Sequence, residues 1–396
     1  MPTASNQFGT DSEKFKSYYE ATNVSANALK ISPVTSEFVY KELTKLKSNK
    51  STGPDGIPVK FLKDGAMVVG EHITFIINLS ISSGTVPVDL KYARVKPLFK
   101  KNSRSEVGNY RPVSILSVVS KLLEKAVYVQ LESYLTENNL LYNLQSGFRG
   151  SYSTDTCLTY LTDHIRSQMS AGNYTGMVLL DLQKAFDTVD HEILLNKLQA
   201  MGIHELSVNW FRSYLSQRYQ TVSVNQVDSK AMKITCGVPQ GSILGPLLFL
   251  CYVNDMPTSV GCNLLLYADD SVLFTSGKDP QVISDILSKE LESCRQWLID
   301  NKLSLHLGKT ESILFGSKIK LSRVDEYNVS CDGKDIKPTE SVKYLGVTLD
   351  KSLSGESVVE SIIKKASSRL SFLYRQGHFL NERTCKTLFT HNTLSF

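Results

Sequence analysis

Residues 264–274 read LLLYADDSVLF, an apolar stretch interrupted at its centre by two adjacent aspartates, Asp269 and Asp270. Apolar residues on both sides of a short polar centre predict a tight β-hairpin. A second apolar run, GMVLLDL at residues 176–182, carries one carboxylate near its end, Asp181, and predicts a short buried strand. All three aspartates are therefore expected at strand ends or in a turn.

Carboxylates flanked by apolar residues need a compensating partner, because a buried charge is costly unless it is paired or binds a cation. If the hairpin and the strand are neighbours in one sheet, Asp181, Asp269 and Asp270 form an all-oxygen site of the kind that Mg²⁺ prefers. Two such ions could clamp the attacking and leaving oxygens of a phosphoryl transfer. Taken alone, Asp181 is better explained as a turn or helix-cap residue. For Asp269 and Asp270 together, that explanation and a metal site are equally favoured.

The composition is that of an ordinary folded protein. The chain has 396 residues, of which 41% are hydrophobic and 21% charged, and its net charge of +5 is compatible with a polyanionic partner without requiring one. Its seven cysteines form no CxxC pair, which favours reduced thiols over a disulfide framework or a zinc site. We predict no signal peptide and no membrane-spanning segment, since the apolar stretch 243–253 is too short to cross a bilayer.

Hydrophobic periodicity predicts helices and strands that alternate irregularly after a polar tail over 1–34. Helices are expected at about 35–47, 61–83, 114–138, 158–169, 190–201, 204–217, 282–298 and 356–375. Besides the strand and the hairpin, short strands are expected at 93–99, 219–225, 231–238, 303–307, 311–316 and 342–349. Helices interleaved with hairpins favour an α+β class over a regular βαβ array.

Two further segments indicate a function only in combination with the other motifs. GVPQGSILGP at residues 237–246 lets the backbone approach a ligand before an apolar helix, yet alone it is an ordinary strand-to-helix turn. NYRPVS at residues 109–114 ends a basic block, and Arg111 precedes a proline, which favours an extended backbone. An extended arginine suits triphosphate oxygens, although alone it is better explained as part of a solvated basic loop.

The ordered set of motifs resembles the reverse transcriptase domain of non-LTR (LINE-type) retrotransposons, and most closely that of jockey/CR1-like elements. The resemblance covers about residues 35–375, and the full set is far more specific than YADD alone. The motifs, in chain order, are GPDGIP (53–58), NYRPVS, QSGFR (145–149), LLDLQKAFDTVDH (179–191), GVPQGSILGP, YADD (267–270), LGKT (307–310) and YLGV (344–347).

The resemblance implies a right-hand polymerase with an antiparallel palm sheet packed on helices. By position, it implies fingers over 35–175, a palm with an interleaved fingers segment over 176–350, and the start of a truncated thumb over 351–396. It also implies an RNA-directed DNA polymerase that adds dNTPs to a primer 3′-hydroxyl. Since the family's endonuclease and full thumb are not expected in this chain, we expect no nicking activity and reduced processivity.

The family's site residues carry over by position. Asp181, Asp269 and Asp270, with the backbone carbonyl of Leu182, match the ligands of two Mg²⁺ ions, for which Mn²⁺ may substitute. Lys309 matches the lysine that protonates the leaving pyrophosphate. The remaining matches contact substrates: Lys100 and Arg111 the triphosphate, Phe186 the sugar as a steric gate, Gln240 and Gly241 the nucleotide and template, and Tyr344, Leu345 and Gly346 the primer.

The implied partners are an RNA template, a DNA primer and dNTPs, with no membrane and no identified protein partner, in the nucleus and/or the cytoplasm. Two alternatives stay open. A group II intron maturase-like reverse transcriptase would share YADD and the steric gate, but GPDGIP and the wording of the AFDTVDH and GVPQGSILGP motifs favour the retrotransposon. A truncated or repurposed fragment would bind RNA or DNA without polymerising, although the three aspartates, Phe186 and Arg111 are all present.

Overall fold

The computed structural model describes residues 18–19, 28–225, 227–376 and 379–393. Most of the predicted tail over 1–34 lies outside the described residues. Within it, the side chain of Tyr19 is buried and its hydroxyl contacts the Asn254 amide at 3.0 Å. Ile31 is also buried, and its N–H donates to the Ser207 hydroxyl at 2.9 Å. Packed structure therefore begins before residue 35.

One sheet has four antiparallel strands in the order β7-β8-β3-β9. They are β3 (Tyr174–Asp181), β7 (Asn263–Tyr267), β8 (Asp270–Gly277) and β9 (Glu311–Phe315). Alternate residues of β3 lie on opposite faces, so that Met177 belongs to one buried cluster and Val178 to another. Burial on both faces explains why these strands are almost continuously apolar.

Helices cover both faces of this sheet. On one face, α10 (Pro280–Asp300) places Ile283 and Leu287 in the larger core, and Asp279 caps its first turn. On the other face, α5 (Thr154–Ser170) buries Leu161 in the smaller cluster, and Ser153 begins it with a reciprocal capping box. The strands and helices predicted here are confirmed, with small differences in their ends.

The second sheet has five strands and combines segments that lie far apart in the chain. Its strand order is β2-β1-β4-β5, with β6 paired to β4; β1 and β4 are parallel and the other pairs antiparallel. The strands are β1 (Tyr92–Phe99), β2 (Tyr110–Ile115), β4 (Arg218–Val224), β5 (Val227–Asp228) and β6 (Met232–Ile234). Together with the helices, the two sheets confirm the α+β prediction.

The other helices form a layer around the sheets. They are α1 (Ser36–Thr44), α2 (Val59–Asp64), α3 (Ala66–Ser83), α4 (Val118–Glu137), α6 (Ala185–Thr188), α7 (His191–Ala200), α8 (Glu205–Leu215), α9 (Leu244–Val253), α11 (Lys318–Leu321), α12 (Glu356–Gln376) and α13 (Glu382–Thr393). Two small hairpins complete the described fold: β10 (Val329–Cys331) with β11 (Lys334–Ile336), and β12 (Ser341–Tyr344) with β13 (Val347–Asp350).

Among the described residues, one helix is long and apolar enough to cross a membrane by length and composition. This helix, α3, has a mean hydropathy of 1.3, and one third of it is buried. It packs Ile73, Ile77 and Ile81 into the core. Core helices of folded proteins pass the same test, so the observation is weak support for a membrane span. The apolar stretch considered in the sequence is α9, in which nearly every residue is buried.

Several sequence predictions need correction. The strand predicted over 342–349 is the hairpin of β12 and β13, because Leu345 and Gly346 adopt positive φ and reverse the chain. The strand predicted over 231–238 is only β6, Met232–Ile234, because the chain turns before Gly237, which has φ of +85°. The single helix over 61–83 is two helices, because Gly65 ends α2 and begins α3 with a backbone that fits neither interior. The helix predicted from residue 114 begins at Val118, after the Ser117 cap, because the preceding residues form β2. The strand over 303–307 does not form, since Leu305 makes only an isolated bridge and a 3₁₀ turn, Leu307–Lys309, follows.

Candidate active site

Two of the three aspartates face each other across neighbouring strands. Asp181, the last residue of β3, pairs in register with Asp270, the first residue of β8. Directly opposed residues in antiparallel strands have Cβ atoms about 4.5–5.5 Å apart and project to the same face. Asp269 precedes Asp270 in the turn, so the sheet brings all three carboxylates to one edge.

The turn that carries Asp269 has an unusual backbone. Tyr267 pairs with Asp270, which leaves Ala268 and Asp269 as the two central residues of the hairpin. Ala268 has φ of +58°, a conformation that residues with a Cβ seldom adopt. Two-residue hairpins with positive φ at the first central position ordinarily have glycine there. The position of the aspartates therefore depends on a strained turn.

Mutual repulsion and loss of water raise the pKa of the turn carboxylates, although both side chains keep solvent exposure. The pKa of Asp270 is raised to about 6 by desolvation, then by the charges of Asp269 and Asp181. The pKa of Asp269 is also raised, mainly by desolvation, while the charges of Arg111 and Lys100 oppose the shift. A cation between these groups would relieve the repulsion.

Lys309 lies beside Asp181, with its Nζ 3.4 Å from Oδ2. Both side chains are substantially exposed, so this ion pair contributes at most about 1 kcal/mol. Its position is set by the 3₁₀ turn Leu307–Lys309, which follows a hydrogen bond of 2.8 Å from the N–H of His306 to the carbonyl of Asp181. The segment that we predicted as a strand therefore brings Lys309 to the carboxylates by a turn.

Lys100 and Arg111 lie at the hairpin of the other sheet, and their charges act on Asp269. Arg111 lies on β2 opposite Leu98 of β1, and the N–H of Lys100 donates to the carbonyl of Asn109 at 2.9 Å, closing the hairpin next to it. The charges of both residues lower the pKa of Asp269. These charge effects indicate that the basic hairpin lies near the YADD turn, about 160 residues away in sequence.

The GVPQGS loop is tied to both neighbours. The carbonyl of Gln240 accepts from the N–H of Ser114 at 2.7 Å, and its side-chain Nε2 donates to Asp187 Oδ1 at 2.9 Å. Gly241 has φ of +115°, and a Cβ at this position would lie 2.6 Å from the carbonyl oxygen of Ser114. Only glycine fits such a contact, so the loop passes directly beside β2.

Phe186 lies among aromatic rings next to the carboxylate edge. It stacks on Phe249 with 4.4 Å between ring centroids, and Phe148 meets it edge-on at 6.1 Å. The carbonyl of Phe186 accepts from the N–H of Val238 at 2.8 Å. Packing of this kind holds the ring in one orientation.

The hairpin of β12 and β13 lies near the same edge. Its two central residues, Leu345 and Gly346, have φ of +46° and +88°, as in a type I′ turn. The buried ring of Tyr344 contacts the Cys157 thiol at 3.5 Å, Oη to Sγ. Burial raises the pKa of Tyr344, and the charge of Asp270 contributes to the shift, which indicates proximity to the aspartates.

Sequence comparison identifies the family. Residues 99–349, more than half of the chain, match the family described as reverse transcriptase (RNA-dependent DNA polymerase). The chain belongs to this reverse transcriptase family. All site residues carried over by resemblance, from Lys100 to Gly346, lie inside the matched range, whereas α1, α2 and α3 precede it.

Similar proteins come from mobile elements. The chain is 28% identical over 356 residues to the "RNA-directed DNA polymerase from mobile element jockey" of Drosophila funebris, covering 87% of this chain and 38% of that protein. It is 29% identical over 374 residues to the "Probable RNA-directed DNA polymerase from transposon BS" of Drosophila melanogaster, covering 91% and 40%. The predicted resemblance to LINE-type elements is confirmed. The chain spans about two fifths of the length of these relatives.

Within the described chain, no three acidic, histidine or cysteine side chains are close enough to form a preformed metal centre. The donor types nevertheless fit a hard divalent cation, as reverse transcriptases generally use, because the carboxylates of Asp181, Asp269 and Asp270 offer only oxygen. The raised pKa values of Asp269 and Asp270 point the same way, since a cation would relieve the repulsion between these carboxylates.

Sequence reasoning assigned no substrate- or metal-binding role to three residues that contact this site. Gln145 and Phe148 belong to QSGFR, which was used only as a family motif; they contact the YADD turn and Phe186. Asp187 belongs to the LLDLQKAFDTVDH motif and accepts a hydrogen bond from Gln240. These positions lie within the sequence motifs, but only the structure shows which groups their side chains contact.

Proposed function

We propose that this chain is the RNA-directed DNA polymerase of a LINE-type retrotransposon, adding dNTPs to the 3′-hydroxyl of a primer on an RNA template. The observation that carries the proposal is the pairing of Asp181 with Asp270, with Asp269 under the influence of Arg111 and Lys100. This arrangement sets three oxygen ligands beside two cationic side chains. It suits the transfer of a nucleotidyl group from a triphosphate.

The two sheets support an assignment to polymerase subdomains. The four-stranded sheet that bears the aspartates corresponds to the palm, within residues 176–350. The β1–β2 hairpin and the helices around it correspond to the fingers, over 35–175, and β4, β5 and β6 form the fingers segment interleaved with the palm. Residues 351–393, which include the exposed helix α12, correspond to the start of a thumb.

Asp181, Asp269, Asp270 and the carbonyl of Leu182 would hold two Mg²⁺ ions, or Mn²⁺ in their place. When bound, such ions lower the pKa of a primer 3′-hydroxyl and neutralise the triphosphate. Each aspartate must be ionised to bind a cation. Because the pKa of Asp270 is raised to about 6, this carboxyl loses its proton near pH 6. The carboxylates thereby define where the reacting phosphate has to lie.

The neighbouring side chains bind and orient the nucleotide. Lys100 and Arg111 bind the triphosphate oxygens, and Arg111 offers a planar fork of donors suited to them. Phe186 packs under the sugar, where its ring leaves no room for a 2′-hydroxyl. Lys309, whose Nζ lies 3.4 Å from Oδ2 of Asp181, donates a proton to the departing pyrophosphate.

The nucleic acids are held by the remaining elements. The loop of Gln240 and Gly241 lies beside the nucleotide and the template base. The turn of Tyr344, Leu345 and Gly346 supports the primer end, while basic side chains follow the phosphate backbone without reading sequence, so that binding weakens with salt.

Primer extension on oligo(dT)-primed poly(rA) with Mg²⁺ or Mn²⁺ tests the proposal. The chain is compared with Asp269→Ala/Asp270→Ala, whose folding is checked by circular dichroism. Metal-dependent incorporation of dTMP that disappears in the double variant supports the polymerase. Salt-sensitive binding of template–primer without incorporation by the parent chain would instead support the binding-only alternative.

A further inference from the structure

The segment 142–149, which contains the QSGFR motif, lies along the exposed edge of β7. The N–H of Leu266 donates to the carbonyl of Leu144 at 3.0 Å, and the N–H of Ser146 donates to the carbonyl of Leu266 at 2.8 Å. These bonds form a short parallel bridge centred on Gln145 and Leu266. The segment thus adds a short extra strand to the sheet that carries the aspartates.

Gln145 connects this segment to the YADD turn. Its side chain is 2% exposed, and its Oε1 accepts from the N–H of Ala268 at 3.0 Å and from the N–H of Gly147 at 2.8 Å. The N–H of Ala268 belongs to the strained residue with φ of +58°. In this hairpin that N–H points away from the paired strands, so it needs a partner from elsewhere.

The backbone at residue 147 approaches the same turn closely. A Cβ at Gly147 would lie 2.3 Å from the nitrogen of Ala268, a separation that excludes any side chain. Arg149 closes the segment behind Gln145, since its Nη1 donates to the carbonyls of Tyr142 and Gln145 at 2.9 and 3.2 Å. The segment is therefore rigidly held on both sides of its contact with Ala268.

We infer that Gln145 is a positioning residue for the catalytic turn: its side-chain oxygen holds the N–H of Ala268, and with it the backbone that aims the carboxylates of Asp269 and Asp270. The inference rests on the proposed function. Without that acceptor, the turn loses the bond that favours positive φ at Ala268, and the carboxylates lose their shared orientation. Gln145 is buried and acts through its hydrogen bond to the turn.

Gln145→Met tests this role, because methionine keeps the length and packing of the side chain but accepts no comparable hydrogen bond. Residues that orient metal ligands typically change metal affinity about 10- to 100-fold when they are replaced. We expect Mn²⁺ binding, followed by electron paramagnetic resonance, to weaken at least about 10-fold, and the Mg²⁺ requirement of primer extension to rise in parallel. The kcat should fall, while the KM for dTTP and the affinity for template–primer stay close to those of the parent.

Gln130→Met is the matched control. Gln130 also accepts a backbone N–H, that of Ser32 at 2.8 Å, but it lies on α4, away from the aspartates. This variant should lose thermal stability without any change in Mn²⁺ affinity. If Gln145→Met does not fold, Gln145→Asn replaces it, because the shorter amide no longer reaches Ala268.

Ala268→Gly provides a second and independent readout. Glycine adopts positive φ without strain, so the turn then depends less on Gln145. The loss of Mn²⁺ affinity caused by Gln145→Met should therefore be several-fold smaller in the Ala268→Gly background, since coupled residues give non-additive effects. Additive losses, or equal Mn²⁺ affinity in the parent and Gln145→Met, would overturn the inference.

The two hypotheses fail in different ways. If the parent chain binds Mn²⁺ and template–primer but incorporates no nucleotide, the proposed polymerase activity fails, and the Mn²⁺ titrations still decide the role of Gln145. If the parent incorporates dTMP and Gln145→Met matches it in metal requirement, the polymerase stands and the positioning role is rejected.

Discussion

Gln240 and Asp187 are joined by a hydrogen bond of 2.9 Å, from Nε2 of the amide to Oδ1 of the carboxylate. They belong to different motifs, separated by 53 positions in the chain. This bond orients the side chain of Gln240, while the backbone carbonyl of Gln240 accepts a hydrogen bond from the N–H of Ser114 on β2. Burial raises the pKa of Asp187, and the charges of Lys184 and Lys100 partly offset this. The GVPQGS loop is thus held from both sides.

Removal of the Asp187 carboxylate should weaken nucleotide binding more than chemistry. Asp187→Ala leaves the Gln240 amide without its acceptor, and such a loss costs about 1–3 kcal/mol. We expect the KM for dNTPs to rise about 10-fold with a smaller change in kcat, measured by steady-state primer extension. Asp187→Asn keeps an acceptor oxygen and serves as the control. Equal kinetics for Asp187→Ala and the parent would show that the bond does not orient Gln240.

Asp270 should destabilise the metal-free protein at neutral pH. Its pKa is about 6 in the folded chain against an ordinary value of 3.8, so between these pH values the folded state binds more protons than the unfolded state. Stability therefore falls as pH rises through this window. With EDTA present, Asp270→Asn should raise the melting temperature at pH 7 and flatten its dependence between pH 4 and 6.

A divalent cation should offset the destabilisation of the folded protein that ionised Asp270 causes. Mg²⁺ is expected to raise the melting temperature of the parent more than that of Asp270→Asn, because binding to the folded state alone stabilises it. Differential scanning fluorimetry across pH, with and without Mg²⁺, measures both effects. A lower melting temperature for Asp270→Asn in EDTA at pH 7 would contradict the repulsion among the aspartates.

Phe186 should set the preference for dNTPs over NTPs, and Phe148 should support it. Phe186→Val opens space beside the sugar, and the ratio of kcat/KM for dTTP over UTP should fall about 10- to 100-fold. Phe148→Ala removes the edge-on ring contact, worth about 0.5–1.5 kcal/mol, and should lower the ratio only about 2- to 10-fold.

Phe75→Ala is the control for these ring variants, because that ring is exposed on α3, outside the site. Single-nucleotide incorporation with each triphosphate gives the ratios. Discrimination by Phe186→Val as strong as that of the parent would rule out the gate, while an unchanged ratio in Phe148→Ala would restrict the gate to Phe186 alone.

Gly241→Ala should strongly reduce polymerase activity, with little effect on folding outside this loop. Its Cβ would meet the Ser114 carbonyl oxygen at 2.6 Å, in a backbone conformation of φ +115° that side chains disfavour. The loop must then move away from β2, and primer extension should fall at least about 100-fold, as for misplacements of about 1 Å.

Gly150→Ala is the matched control for Gly241→Ala, because a Cβ there meets nothing within 4 Å. Its activity and melting temperature should equal those of the parent. Full activity in Gly241→Ala would show that the close approach of the loop to β2 is not required.

Local sequence patterns predicted most helices and strands, but they did not predict every position at which these break or fail to form. The apolar run over 61–83 has helical spacing throughout, and nothing in that spacing marks the break at Gly65. The alternating residues 303–307 favour a strand, yet β3 ends at Asp181 and offers too little partner strand for more than the bridge at Leu305. A strand depends on its neighbour, which periodicity does not specify.

The amino-acid sequence by itself determined the hairpin with its two aspartates, the strand that ends at Asp181, the α+β class and the family, because each depends on residue types at short spacing. Only the tertiary structure decided which distant segments meet, Asp187 with Gln240 and Gln145 with Ala268, and that the charge of Arg111 acts on Asp269. These contacts arise from how two sheets pack and pair across more than 50 residues of chain. Since hydrophobic periodicity is set within a few residues, it carries no record of such partners.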